Sequence, residues 1–116
     1  MSTFLLTYRA PADYQGGDLA AQSEWGVWFA SMGDRILDIG NPVFARETLG
    51  SVPAATVLGG YSIISAEDFS EARSLAEGCP FLRIKGGVEI GELTLLNPLN
   101  LATSPADHPG IARVAT

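Results

Sequence analysis

The stretch Thr56-Val57-Leu58-Gly59-Gly60-Tyr61-Ser62-Ile63-Ile64-Ser65-Ala66-Glu67-Asp68 decides the fold. Residues 56–64 are rich in β-branched and large apolar side chains and predict a strand. Its Gly59-Gly60 pair is unfavourable inside a strand and marks a bend, a bulge or the close approach of another group. A helix start follows at once. Ser65 is the expected cap, accepting from an early backbone N–H, and the acidic residues after it suit the positive end of the helix dipole. Phe69, Ala72, Leu75 and Ala76 form the expected buried face. Gly78 ends this helix and Pro80 prevents its restart.

Working outward, 81–85 leads to a Gly86-Gly87 turn and a last strand, Val88 to Leu95, whose alternation slips near Gly91 and predicts a bulge or bend there. On the other side, 50–55 reads as a hairpin-like connection and Val43 to Leu49 as the second strand. Arg46 and Glu47 within it suggest an edge or a solvated face. Ile36 to Ile39 is a short apolar stretch closed by Gly40-Asn41-Pro42. Trp25, Trp28, Phe29 and Met32 share one helical face, with Leu19 and Gln22 extending the stripe and Gly33 as the stop. Gly26, Ala30 and Gly33 form a second strip of small residues, suited to close backbone approach. Residues 3–9 are a strand, expected to be buried on both faces in its middle. The domain is therefore 1–96. Residues 97–116 hold Pro98, Pro105 and Pro109 and read as an irregular tail on which Ile111 and Val114 could dock.

The order β-α-β-β-α-β defines an α+β, ferredoxin-like domain. Right-handed crossovers place both helices on one face of a four-stranded antiparallel sheet. The other face is bare, and strands apolar on both sides, with Phe4, Leu5 and Leu6 in the first and Val57, Leu58, Ile63 and Ile64 in the third, leave apolar groups on it. Covering it with a second copy predicts a homodimer, an α/β barrel. The alternative is a monomer whose tail crosses that face.

Composition narrows the partners. The apolar fraction of 47% supports a packed interior, whereas the net charge of −6, with one lysine, Lys85, and scattered arginines, argues against nucleic acid. No apolar run approaches a membrane span, and none at the start suits a secretory signal. The single cysteine, Cys79, allows no internal disulfide and suits the cytoplasm. Its place past a helix C-terminus disfavours a thiolate, so it reads as structural.

Three stretches resemble the YCII-related family, which includes the DGPF-domain proteins. They are Met32-Gly33-Asp34-Arg35-Ile36-Leu37-Asp38-Ile39-Gly40-Asn41-Pro42, then residues 58–68 of the opening stretch, and Ala76-Glu77-Gly78-Cys79-Pro80-Phe81 with Gly87-Val88-Glu89-Ile90. The resemblance implies a ferredoxin-like protomer that dimerises into an α/β barrel. It implies little about activity. Some members carry a His-Asp pair near the first helix, proposed as a catalytic site. Here the only histidine is His108, in the tail, and Ala54-Ala55-Thr56-Val57 stands where the acidic DGPF stretch often lies.

The candidate pocket residues are Trp25, Trp28, Asp34, Arg35, Tyr61 and Glu89. Trp25, Trp28 and Phe29 could wall an apolar cleft, though aromatics at helical spacing are more often core. Glu89 facing a barrel interior could serve as a base, and an Arg nearby could hold an acidic substrate. The structural alternative has Asp34 and Arg35 closing a turn and Glu89 pairing with an Arg across strands. No cofactor is expected: the glycine pairs lack a nucleotide-loop pattern, and His108 has no second histidine or cysteine pair for a metal. The expected function is a cofactor-free small-molecule enzyme or binder for a small apolar or acidic metabolite. The alternatives are a non-catalytic interaction or regulatory module working as a homodimer, and a purely structural accessory dimer.

Overall fold

The computed structural model describes residues 1–94 and 96. Strand β1 spans Ser2–Pro11, helix α1 Leu19–Met32, β2 Ile36–Asp38, β3 Thr56–Ala66, α2 Phe69–Ala76 and β4 Gly87–Glu92. A short 3-10 turn follows each helix, Gly33–Arg35 and Pro80–Ile84. The sheet order is β2-β3-β1-β4 with every neighbouring pair antiparallel. This is the expected ferredoxin-like α+β arrangement. The tail, with His108, Ile111 and Val114, lies outside the described residues.

β1 is the central strand and its alternation sets the core. Phe4, Leu6, Tyr8 and Ala10 are buried and meet Ile64 and Ala66 of β3, Trp28 and Met32 of α1, and Ala72 and Ala76 of α2. Thr3, Leu5, Thr7 and Arg9 turn the other way and stay half-exposed. The middle of β1 is therefore closed on one face, not two, because both helices pack on the same side.

The second strand is Ile36–Asp38, not Val43–Leu49. Beyond Gly40 the chain still tracks β3, through a Pro42–Gly60 bridge and a bond from Val43 N–H to the Gly59 carbonyl at 3.1 Å. It does not continue as a strand, for two reasons. Pro42 has no N–H to give. The Leu58 carbonyl is taken by a side chain, the Arg46 Nε, at 3.0 Å.

Of the bend, bulge or close approach expected at Gly59-Gly60, a bulge is present: Tyr8 pairs with Gly60 and Arg9 with Leu58, leaving Gly59 as the extra residue. No bulge occurs at Gly91, where β1 and β4 keep one register from Arg9–Gly87 to Phe4–Glu92. The apparent slip disappears because β4 stops at Glu92, so Leu93 need not share its alternation.

The cap of α2 is Asp68, not Ser65. β3 runs on to Ala66, with Ser65 paired to Thr3, so the chain leaves the sheet too late for Ser65 to cap. The Asp68 Oδ1 accepts from the Glu71 N–H at 2.9 Å, and the Glu71 Oε1 accepts from the Glu67 N–H at 2.9 Å. The reciprocal bonds are close to a capping box. On α1, Asp18 caps by accepting from the Ala21 N–H at 2.7 Å. Leu19 and Phe69, read as parts of the apolar stripes, are exposed, although Phe69 sets its ring edge-on to Phe4 at 5.0 Å. The small-residue strip meets no backbone: a methyl at Gly26 or Gly33 would touch nothing.

Candidate functional site

A cavity opens among the described residues. It lies between α1 and the β1–β3 half of the sheet, closed on one side by the segment 39–46, and has a volume of about 690 Å³. That lies within the ~300–1,000 Å³ of small-molecule sites. Its formation follows from the fold. β3 carries glycine at 59 and 60, so the floor beneath α1 has no side chains to fill it. The space is limited by close neighbours: a methyl at Gly59 would lie 2.9 Å from the Phe81 ring, and one at Gly60 2.9 Å from the Asn41 carbonyl.

The walls are aromatic. Tyr8 comes from β1, Tyr14 from the following loop, Trp25 and Phe29 from α1, Phe44 from the loop after β2 and Phe81 from the second 3-10 turn. The rings of Tyr8, Tyr14, Trp25 and Phe81 meet edge to face, Phe29 tilts against Trp25, and Phe44 is exposed at the rim. Trp25 meets Tyr8 at 4.8 Å, Phe81 at 4.9 Å and Trp28 at 5.5 Å between centroids. Such contacts fix the rings in place beyond what area burial alone would do.

Several polar side chains interrupt the apolar lining, Gln15 and Gln22 among them. Tyr8 donates its hydroxyl hydrogen bond to Ser62 Oγ at 2.7 Å, and Ser62 donates to the Ile39 carbonyl at 2.6 Å. Ser62 is the buried polar side chain of the core, and the relay satisfies it. Burial pushes the Tyr8 phenol above the ordinary tyrosine range, only partly offset by the Ser62 bond, so at neutral pH it is an uncharged hydrogen-bonding group. Asn41 lines the edge and donates to the Tyr61 hydroxyl at a long 3.4 Å. Arg46, also in the lining, is held by Nε to the Leu58 carbonyl at 3.0 Å and by Nη2 to the Val43 carbonyl at 3.1 Å.

The relay carries a prediction. Ser62→Ala leaves the Tyr8 hydroxyl without its acceptor and the Ile39 carbonyl without its donor. We expect a loss of about 1–3 kcal/mol in chemical denaturation. A loss of only a few tenths would mean that the relay is not formed in solution.

The structure brings some of the sequence candidates to the cavity and leaves others away from it. Trp25 and Tyr61 are in the lining, although strand alternation turns the Tyr61 side chain to the face opposite Ser62. Trp28 is in the core, its Nε1 donating to the Leu75 carbonyl at 3.0 Å. Asp34 is exposed in the first 3-10 turn. Arg35 forms an ion pair with Glu71 and donates from Nη2 to Glu71 Oε2 at 3.3 Å, tying that turn to α2. The Arg35 guanidinium holds the Glu71 carboxyl below the usual range. Glu89 is exposed on the edge strand opposite Thr7, with no ion pair among the described residues. Sequence reading did not place Tyr8, Tyr14, Phe44 or Phe81 here. Gly59-Gly60 was the one signal that something approaches β3 closely.

Cys79 is buried away from the lining, and burial pushes its thiol up to about 11. Thiol and phenol are both neutral when protonated. Each is held protonated more firmly in the folded chain than in the unfolded chain, where they ionise near 9 and 10. Their contribution is complete below pH 9 and declines as the pH rises through 11. The denaturant midpoint should therefore hold steady from neutrality to about pH 9 and then fall, with a shallower fall in Cys79→Ala. A midpoint unchanged through pH 11 would show that neither group is buried as described.

The fold and cavity define a class: a ferredoxin-like α+β chain with an aromatic, small-molecule-sized cavity beneath its first helix. No family model matches the chain, and no curated protein matches it. Among solved structures it is similar to 5-chloro-2-hydroxyhydroquinone dehydrochlorinase from Burkholderia phenoliruptrix AC1100, in complex with 2,5-dihydroxybenzoquinone. The TM-score is 0.52 at 18% identity, covering 78% of this chain and 93% of that one. The likeness is one of fold. Among the described residues no helix is long and apolar enough to cross a membrane.

Proposed function

We propose that this protein takes a small, largely apolar organic molecule into the cavity between α1 and the sheet, as a binder or a cofactor-free enzyme. The observation that carries the reading is the cavity: about 690 Å³, walled by Tyr8, Trp25, Phe29 and Phe81 and floored by two glycines. A chain of the same fold in complex with a small organic molecule supports it. The YCII-like stretches at 32–42, 58–68, 76–81 and 87–90 favour placing it in the YCII-related family, and a lone buried thiol favours a cytoplasmic protein. The test is intrinsic fluorescence during titration with small aromatic and carboxylic metabolites. Trp25 lines the cavity and Trp28 packs beside it, so binding should quench emission, and Trp25→Ala should remove both quenching and binding measured by calorimetry. Binding undiminished in Trp25→Ala would move the ligand elsewhere.

A second reading concerns assembly. The sheet face away from the helices presents half-exposed Leu5, Tyr61 and Ile63 and exposed Leu58. We infer that a second copy covers it, as a homodimer. Light scattering at micromolar concentration should give twice the chain mass, and a monomer would contradict it. Phe44, Leu49 and Val52, all exposed on the loop before β3, are the surface on which an interaction module would rely instead.

A further inference from the structure

We infer that the cavity selects a planar aromatic anion, with the ring on the aromatic wall and the negative group at Arg46. The inference rests on reading the cavity as a ligand site and adds what the ligand must carry.

Charge comes first. Among the described residues Arg46 is the one charged residue in the cavity lining, in a protein whose net charge is −6. Among the described residues no carboxylate forms an ion pair with it. An arginine on such an acidic protein has many potential partners, yet this one is held by backbone carbonyls in a lining it shares with aromatic side chains.

Its geometry is the second observation. Two backbone carbonyls hold the guanidinium, through Nε and Nη2. An exposed arginine normally gives up rotamer freedom to bind, and here that ordering is already made by the loop. Arginine has five N–H donors, so with two engaged three are left, including both on Nη1. A fixed planar fork suits a carboxylate or another flat oxyanion better than a spherical ion or a neutral group.

The shape of the remainder specifies the ring. Trp25 and Phe81 stand nearly perpendicular at 84°, and Trp25 and Phe29 are tilted at 41° with centroids 5.7 Å apart. Flat walls over a floor of Gly59 and Gly60, with no side chain rising from it, favour a flat ligand over a flexible chain. Edge-to-face and offset contacts with such walls reward an aromatic ring specifically. The volume admits a fused two-ring molecule.

The test compares three probes by calorimetry on the full chain: naphthalene-2-carboxylate, naphthalene-2-carboxamide and octanoate. The carboxylate should bind at least tenfold more tightly than either of the others. Arg46→Gln should abolish the difference between carboxylate and carboxamide measured on that same variant, and Arg46→Lys should retain part of it. Equal affinity of carboxylate and carboxamide for the wild-type protein would overturn the charge selectivity while the cavity reading stands. Octanoate binding as tightly as the naphthoate would overturn the aromatic requirement. A tenfold preference for the carboxylate retained in Arg46→Gln would show that Arg46 does not contact the ligand's charge, which also overturns the inference. Binding of none of the three would sink the cavity reading itself.

Discussion

Trp28→Ala is expected to lower the unfolding free energy by about 3–5 kcal/mol, against a total of roughly 5–15 kcal/mol for a domain of this kind. The side chain is buried, stacks on Phe29 with centroids 5.2 Å apart, and meets Tyr8 edge-on at 5.7 Å. Its loss leaves a cavity against Gly78, where a methyl would lie 2.5 Å from the indole, and removes the donor to the Leu75 carbonyl. Trp25→Ala should cost about half as much, because Trp25 is only half-buried. The two tryptophans thus separate stability from function. The variant at 28 loses most stability in denaturant melts, whereas the variant at 25 loses ligand binding. Equal stability losses would mean that the assignment of Trp28 to the core and Trp25 to the wall is wrong.

Gly40→Ala is expected to have the second largest effect, on stability and on the site together. Gly40 has φ of +77°, a backbone that costs other residues about 1–3 kcal/mol, and its added methyl would lie 1.7 Å from the Tyr61 carbonyl oxygen. Neither atom can yield by a side-chain rotation, so the segment after β2 must leave β3. The Pro42–Gly60 bridge and the Val43-to-Gly59 bond then break, and the cavity loses one wall. Gly50→Ala is the control. Its φ is +73°, but a methyl there meets nothing. It should show the backbone cost alone and bind ligand normally. Calorimetric titration and denaturation of both variants measure the difference. Gly40→Ala behaving like Gly50→Ala would mean that the 39–46 segment is not fixed against the sheet.

What could be read from the sequence follows contact range. The run from Thr56 to Asp68 declares strand, bulge and helix start through local chemistry, and all three are present. Order and handedness then give the sheet. Val43–Leu49 misled because its composition suits a strand, while the deciding bond, Arg46 to the Leu58 carbonyl, joins residues 12 apart. Ser65 and Asp68 were both competent caps. The length of the β1–β3 ladder, a tertiary matter, chose Asp68. The site was less legible for the same reason. Its lining gathers Tyr8, Trp25, Gly59 and Phe81 from four separate elements, and spacing on one helix does not say which of Trp25 and Trp28 faces inward. Glu89 was read as a base only where it faced a barrel interior, and it pairs with Thr7 on the sheet face away from the helices, the face a second copy would cover. β4 is an edge strand, and Glu89 alternates to the exposed side.

The most direct measurement is a crystal structure of the protein soaked with a mixed set of small aromatic and carboxylic metabolites. Ordered density for a flat molecule is expected between α1 and the sheet, against Trp25, Phe29 and Phe81. A cavity filled by the protein's own side chains, or density only elsewhere on the surface, would contradict it.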